Sequence, residues 1–287
     1  MTLGGLRRLF ADRLSDIYDT CEADGMFFRT VSHCLGMNRL EYAAVKDDEL
    51  SETDTKRMTD VLNRLLQGSP LQYVLGIQRF AGHDFCVDGS VLIPRPETEE
   101  LVQAILDGNA RRDGLRVLDI GTGSGAIAVS LALAEPSWSV SAMDVSPQAL
   151  ATARENASRM GAQVEFIMAD ILSMQDGVPY GRYDVIVSNP PYVLESEKSR
   201  MHKNVLEYEP ALALFVPDED PLLFYRAISR FAAGALEPAG RLYFEINAAL
   251  GDATADLVRS CGFGDVAVWK DISGRDRFVY AVRGRLP

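Results

Sequence analysis

The sequence predicts an α/β chain, a parallel sheet with helices on both faces, preceded by a helical bundle. Three observations predict it. From Leu115 onward, short apolar runs alternate with helical segments, which is the pattern of a sheet covered on both sides. The first run, Val117-Leu118-Asp119-Ile120, passes directly into a glycine-rich turn and then a helix. Before residue 75, apolar residues recur only at helical spacing.

Leu3, Leu6, Leu9, Phe10, Leu14 and Ile17 share one helix face, with Arg7, Arg8, Asp12 and Arg13 between them. A second amphipathic stretch runs from about Gly25 to Leu35 and stops at Gly36, placed as a left-handed cap. Ser51-Glu52-Thr53-Asp54 reads as the N-terminal cap of a helix through Leu66, ended by Gly68 and Pro70. Residues 1–75 are therefore expected to form a helical domain. Ile77–Phe80, Asp84–Val87 and Val91–Ile93 are β-like runs separated by Ala81-Gly82 and Asp88-Gly89, and Asp-Gly is a hairpin signal. A β-hairpin linker over 76–95 is expected, with a third domain over 96–287. Pro96 and the acids that follow it open a helix, where both suit the first turn.

In the third domain the expected strands are Leu115–Ile120, Ser139–Met143, Val164–Met168, Tyr183–Ser188, Arg241–Ile246, Asp265–Trp269 and Arg277–Val282. Helices are expected from about Ser124, over Pro147–Met160, near Pro221–Ala235 and at about Ala248–Cys261. The last two strands have a short connection, which predicts antiparallel pairing. From Val193 to about Asp218 little regular pattern is visible, and a loop of that length beside Tyr192 reads as a substrate-contacting lid.

Charge narrows the function. The 29 basic and 41 acidic residues leave a net −12, which argues against gripping a nucleic-acid backbone. Cys21, Cys34, Cys86 and Cys261 form no close pair, as expected of free thiols in a reducing compartment. Three dispersed histidines predict no metal site. No signal peptide and no membrane span are visible, so a cytoplasmic protein is expected, acting as a monomer.

Gly121-Thr122-Gly123-Ser124-Gly125 follows the first sheet strand, and Asp144 ends the next one. Glycines let a ligand approach the backbone, and an acid at that strand end accepts hydrogen bonds from ribose hydroxyls. The spacing is G-x-G-x-G, not the G-x-G-x-x-G of nicotinamide enzymes, and Asp119 precedes it by two. A carboxylate there would repel a pyrophosphate but attract an ammonium, which favours S-adenosylmethionine over NAD. Asp170 and Ile171, after the third strand, are candidates to border the adenine, although Asp170 serves equally as a helix cap.

The run Tyr183–Val187 ends in Ser188-Asn189-Pro190-Pro191-Tyr192. Two prolines remove two N–H donors, so the backbone offers carbonyl acceptors, and the Asn189 side chain adds another. Such a site suits an –NH2 group. With Asp119–Gly125 and Asp144, these residues resemble class I S-adenosylmethionine-dependent methyltransferases that act on planar –NH2 groups. The fuller pattern is similar to the release factor glutamine methyltransferases, the PrmC/HemK family. Pro70-Leu71-Gln72-Tyr73 with Gly76, Val91–Glu99, Tyr208–Leu212 and Asp276-Arg277 also match.

The resemblance implies a Rossmann-like seven-stranded sheet, with the helical domain recognising substrate and the hairpin joining the two. It implies S-adenosylmethionine as cofactor and, as partner, the Gly-Gly-Gln loop of peptide chain release factors, with no direct nucleic-acid contact. On this reading Asn189, Pro190 and Tyr192 are catalytic, and with Pro191 they bind substrate. Asp119, Gly121, Thr122, Gly123, Ser124, Gly125, Asp144, Asp170, Ile171 and Asn189 hold the cofactor. No metal is called for. Arg95, Glu97, Thr98 and Glu209 are weaker candidates, since a helix start with surface charges explains the first three as well. One departure from the family pattern is Glu245-Ile246-Asn247-Ala248, where relatives often have Glu-Ile-Gly. The competing reading is an adenine-N6 DNA or RNA methyltransferase, which shares Asn-Pro-Pro-Tyr but needs a basic cleft.

Overall fold

The computed structural model describes residues 1–174 and 181–284. The chain divides into two compact units, Met1–Ile77 with His202–Tyr208, and Gln78–Met201 with Glu209–Pro287. Among the described residues no helix is long and apolar enough to cross a membrane.

The first unit contains α1 (Leu3–Leu14), α2 (Thr20–Leu35), α3 (Arg39–Val45), α4 (Glu52–Leu66) and α5 (Leu71–Leu75). Caps decide their bounds. The Asp19 carboxylate accepts from Glu22 N at 2.8 Å, so α2 starts five residues before the expected Gly25, and it stops at left-handed Gly36. Asn38 and Glu41 form a capping box on α3, and the Ser51 hydroxyl accepts from Asp54 N at 3.0 Å on α4. Leu6, Phe10, Phe27, Met58 and Leu65 are fully buried between the helices. The segment Lys203–Tyr208, expected to lie in a lid, joins this unit: Asn204 Nδ2 donates to the Tyr18 hydroxyl at 3.1 Å, and the Tyr208 hydroxyl donates to Gln67 O at 2.7 Å.

Next come β1 (Ile77–Phe80), all but its first residue in the second unit, and β2 (His83–Cys86), which pair across Ala81 and Gly82, both at positive φ. The hairpin turn is therefore Ala81-Gly82. Asp88-Gly89 makes a local turn, in which Asp88 Oδ1 accepts from Ser90 N at 2.8 Å. Val91–Ile93 is not a strand; Val91 and Ile93 are buried, Leu92 is half-buried, and Ile93 N donates to the Glu209 carboxylate at 3.2 Å.

There follow α6 (Pro96–Gly108), β3 (Arg116–Ile120), α7 (Ala126–Ala134), β4 (Ser139–Asp144), α8 (Pro147–Met160), β5 (Val164–Met168) and β6 (Tyr183–Ser188). The stretch from Val193 carries more order than its sequence pattern predicts: β7 (Val193–Leu194), a 3-10 turn (Glu195–Arg200), α9 (Lys203–Tyr208), α10 (Ala211–Leu214) and β8 (Phe215–Val216). These pieces are too short to display a period. Last come α11 (Leu223–Ala235), β9 (Leu236–Glu245), α12 (Gly251–Ser260), β10 (Phe263–Lys270) and β11 (Asp276–Arg283).

The main sheet has seven strands in the order β10-β11-β9-β6-β3-β4-β5, with β10 and β11 antiparallel to each other and β11 antiparallel to β9. Strand alternation feeds two cores. Val117, Val185, Val187 and Tyr243 face α6 and α7, whereas Leu118, Ile186, Leu242 and Phe244 face α11 and α12. Because β3 has β4 on one side and β6 on the other, the winding reverses there. The carboxyl ends of β3 and β6 flank the crevice in which open α/β sheets bind ligands.

Candidate active site

Both motifs converge on that crevice. The Ser188 hydroxyl donates to Ile120 O at 2.6 Å, fastening the end of β6 to the end of β3. Past β3 the backbone turns through Gly121, whose N–H donates to Met143 O at 2.8 Å, and Gly123, whose N–H donates to Asp144 Oδ2 at 2.9 Å. Both glycines are at positive φ, and a Cβ on either would point into open space. Asp144 also accepts from Ser146 N through Oδ1 at 2.9 Å, so two backbone N–H groups fix its carboxylate at the rim.

One cavity is lined by Gly121, Thr122, Gly123, Ser124, Asp144, Asp170, Ile171, Asn189, Pro190 and Pro191. Three expected residues stand behind that lining: Asp119, Gly125 and Tyr192. Gly125 packs against α8. Asp170 caps a 3-10 turn, accepting from Leu172 N and the Ser173 hydroxyl at 2.9 Å each, while still facing the cavity. Arg95 and Thr98 also line it, and Arg95 is paired with the buried Glu209 at 2.5 Å. Pro210, Leu212 and Ala213, from the stretch read as a lid, complete one wall with Phe224 and Ile228 of α11.

Asp119 is fully buried. Its Oδ2 accepts from the Thr122 hydroxyl at 2.6 Å, and its Oδ1 has no hydrogen-bond partner among the described residues. Burial pushes its carboxyl up to about 7; Thr122 and the Ala128 N–H pull it back, and nearby Asp144 adds to the rise.

The Asn189 side chain donates through Nδ2 to the Thr98 hydroxyl at 3.3 Å. That hydroxyl donates to Glu245 Oε2 at 2.7 Å, and the Tyr192 hydroxyl donates to Glu245 Oε1 at 3.1 Å. Burial raises the Glu245 carboxyl, against hydrogen bonds from Thr98 and Tyr192 and the charge of Arg277. Burial, with Glu245 second, holds the Tyr192 phenol well above its ordinary range.

Comparison with known proteins fits these two motifs. Residues 98–209 match the methyltransferase small domain, and residues 7–76 match the PrmC N-terminal domain. A Bacteroides thetaiotaomicron protein named release factor glutamine methyltransferase is 46% identical over 94% of this chain and 96% of its own length. The chain belongs to the release factor glutamine methyltransferase family. A Flavobacterium psychrophilum protein of the same name is 43% identical over 97% of this chain and 98% of its own. Among solved structures, a Pyrococcus furiosus methyltransferase superposes with a TM-score of 0.52 at 19% identity, covering 80% of this chain and 99% of that one. It shows the methyltransferase fold.

For this member of the release factor glutamine methyltransferase family, Glu245 is the residue that sequence reading left without a role. The signal was available: alternation along β9 puts Glu245 on the same buried face as Tyr243, where an acid needs partners. Asn247, the departure from the family pattern, donates through Nδ2 to Tyr192 O and to Glu197 Oε2, at 3.2 Å each. It clamps the chain leaving Tyr192.

Proposed function

We propose that this chain transfers a methyl group from S-adenosylmethionine to the side-chain amide nitrogen of the glutamine in the Gly-Gly-Gln motif of peptide chain release factors. The observation that carries this reading is the Asn189 amide. Its NH2 is bound by Thr98, its Oδ1 has no partner among the described residues, and it lines the same cavity as the glycine turn. A free carbonyl oxygen beside two prolines is an acceptor site for an –NH2 group. The relatives supply the acceptor: both are named release factor glutamine methyltransferases.

The residues at the glycine turn fit S-adenosylmethionine. The cavity has carboxylates at Asp144 and Asp170, with the unpartnered Asp119 Oδ1 behind the turn; its one basic residue among those described, Arg95, is neutralised by Glu209. That donor set suits a cation with ribose hydroxyls and disfavours a pyrophosphate. Gly121–Gly125 would cradle the ligand, Asp144 would accept from the ribose, and Asp170 with Ile171 would border the adenine. When bound, this cofactor supplies an electrophilic methyl group on a sulfonium whose departure leaves a neutral thioether.

An amide nitrogen is a poor nucleophile because its lone pair is delocalised into the carbonyl. Asn189 Oδ1 and the Pro190 carbonyl each accept one N–H of the substrate amide, fixing the nitrogen and favouring pyramidal geometry as the new N–C bond forms. Pro191 shapes the turn and lines the cavity, and Tyr192, behind that lining, anchors the segment through its hydroxyl on Glu245. The nitrogen gains the methyl carbon and loses one proton to solvent, so no strong base is required. The same reading has the chain act in the cytoplasm as a monomer, on a protein and not on nucleic acid.

The test is methyl transfer from labelled S-adenosylmethionine to a purified release factor, to its Gln→Ala loop variant, and to unmethylated DNA. Label on the unaltered factor alone is expected. Label on DNA with none on the factor would move the chain to the adenine branch. Asn189→Ala should lower turnover more than ~10-fold, about 1.4 kcal/mol of barrier, and far more than it lowers cofactor affinity.

A further inference from the structure

Behind Asn189 and Tyr192 stands a second, buried layer built on Glu245, and Thr98 links it to the cavity lining. Glu245 ends β9 with 1% of its surface exposed, and its two carboxylate oxygens receive the hydroxyls of Thr98 and Tyr192. Thr98 sits in the first turn of α6, and its oxygen also accepts from Asn189 Nδ2. One acid from β9 therefore holds both ends of Asn189-Pro190-Pro191-Tyr192, through a helix hydroxyl at one end and directly at the other.

We infer that Glu245 and Thr98 are positioning residues that set which way the Asn189 amide faces. An ionised carboxylate can only accept, so the single hydroxyl proton of Thr98 is committed to Glu245. The Thr98 oxygen is left with lone pairs alone. Only an N–H can face it, so Asn189 must turn its NH2 inward and present Oδ1 to the cavity. The flipped amide would set two acceptors against each other in a buried site and strand an NH2 where the substrate NH2 must bind. Arg277, itself paired with Asp271 at 3.2 Å, places a positive charge near Glu245 that favours the ionised form. The Tyr192 hydroxyl is committed in the same sense, which pins the far end of the segment and the Pro190 carbonyl between.

This inference rests on the methyl-transfer reading for its kinetic consequence but not for its geometry, so two readouts separate them. Thr98→Val keeps the shape and removes the hydroxyl, whereas Thr98→Ser keeps the hydroxyl. Steady-state transfer to a release factor should show Thr98→Val lowering kcat at least ~10-fold with the Kd for S-adenosylmethionine within ~2-fold, and Thr98→Ser within ~3-fold of the unaltered protein. Glu245→Gln, which sets an NH2 donor against one of the two hydroxyls that now reach separate oxygens, should fall with Thr98→Val.

The second readout needs no methyl acceptor. Nitrogen-edited NMR of the Asn189 side-chain amide, assigned by its loss in Asn189→Ala, should show a proton protected from solvent exchange in the unaltered protein and in Thr98→Ser, and unprotected in Thr98→Val. Protection lost in Thr98→Val supports the relay even where the release factor takes no label, an outcome that sinks the functional reading alone. Equal protection in Thr98→Val and the unaltered protein, or equal kcat loss in Thr98→Ser and Thr98→Val, overturns it.

Discussion

At Gly125 the backbone has φ +80°, and a Cβ there would sit 3.1 Å from the Ala153 Cβ and 3.3 Å from Val129 Cγ2. Gly121 has nearly the same φ, +74°, but its Cβ would meet nothing within 4 Å. The pair separates two costs that sequence motifs merge. Any L-residue in the left-handed region costs roughly 1–2 kcal/mol. Gly121→Ala should lose about that much stability and weaken cofactor binding, because the methyl enters the open cradle. Gly125→Ala must also displace α8, so its loss should exceed that of Gly121→Ala by about 1 kcal/mol or more. Urea unfolding of the two variants, with calorimetric cofactor titration of each, checks the order. Equal stability losses would show that α8 yields freely at Ala153.

Elements that carry their own signals are legible in sequence. The helix α8 was expected over Pro147–Met160 and spans those residues, because Ser146 caps it, Pro147 starts it and Gly161 ends it in the left-handed region. The central strands β3 and β6 are buried on both faces, so their apolar runs are nearly continuous, and the ends of β3 to β6 fall within a residue of expectation. What escaped depended on partners distant in the chain. Val91–Ile93 looks like a strand, but its backbone answers to Glu209, 116 residues away. In the site, the glycine turn and Asn189–Tyr192 announce themselves by residue type. The pairing of Glu245 with Thr98 does not, since only the fold brings β9 to the first turn of α6.

The hairpin β1–β2 is tied down in the same non-local way. Asn156 of α8, fully buried, accepts from Cys86 N at 2.7 Å and donates to Cys86 O at 3.0 Å and Ser124 O at 2.9 Å. Asn156→Ala strands three backbone groups, and each unsatisfied one costs roughly 1–3 kcal/mol, partly relieved where water enters. A loss of about 3 kcal/mol is expected. Hydrogen exchange should accelerate in residues 77–86 before the main sheet responds, and uniform acceleration throughout would contradict the idea that this one side chain docks the hairpin.

Across the whole molecule, stability should depend on pH in a direction opposite to that of a protein held by ion-paired acids. Asp119 has its carboxyl pushed up to about 7 by burial, whereas in the unfolded chain it ionises in the ordinary carboxylate range near 4. Between those values the folded state holds a proton that the unfolded state has released, so stability falls as pH rises. One unit of pKa difference corresponds to about 1.4 kcal/mol, and from pH 5 to 7 the Asp119 contribution alone amounts to roughly 2–3 kcal/mol. The net charge of −12 acts in the same sense, through self-repulsion that grows as carboxyls ionise. Asp119→Asn separates the two, since it barely alters the net charge but removes the buried titration. Unfolding of the ligand-free protein should therefore weaken steeply from pH 5 to 7 in the unaltered chain and by roughly 2–3 kcal/mol less in Asp119→Asn. If the cofactor binds as proposed, with its ammonium toward the unpartnered Oδ1, saturating S-adenosylmethionine should favour the charged carboxylate and flatten the unaltered chain toward the variant. Parallel slopes with and without the substitution would mean that Asp119 is ionised throughout, and that the orphaned oxygen has a partner even before the cofactor arrives.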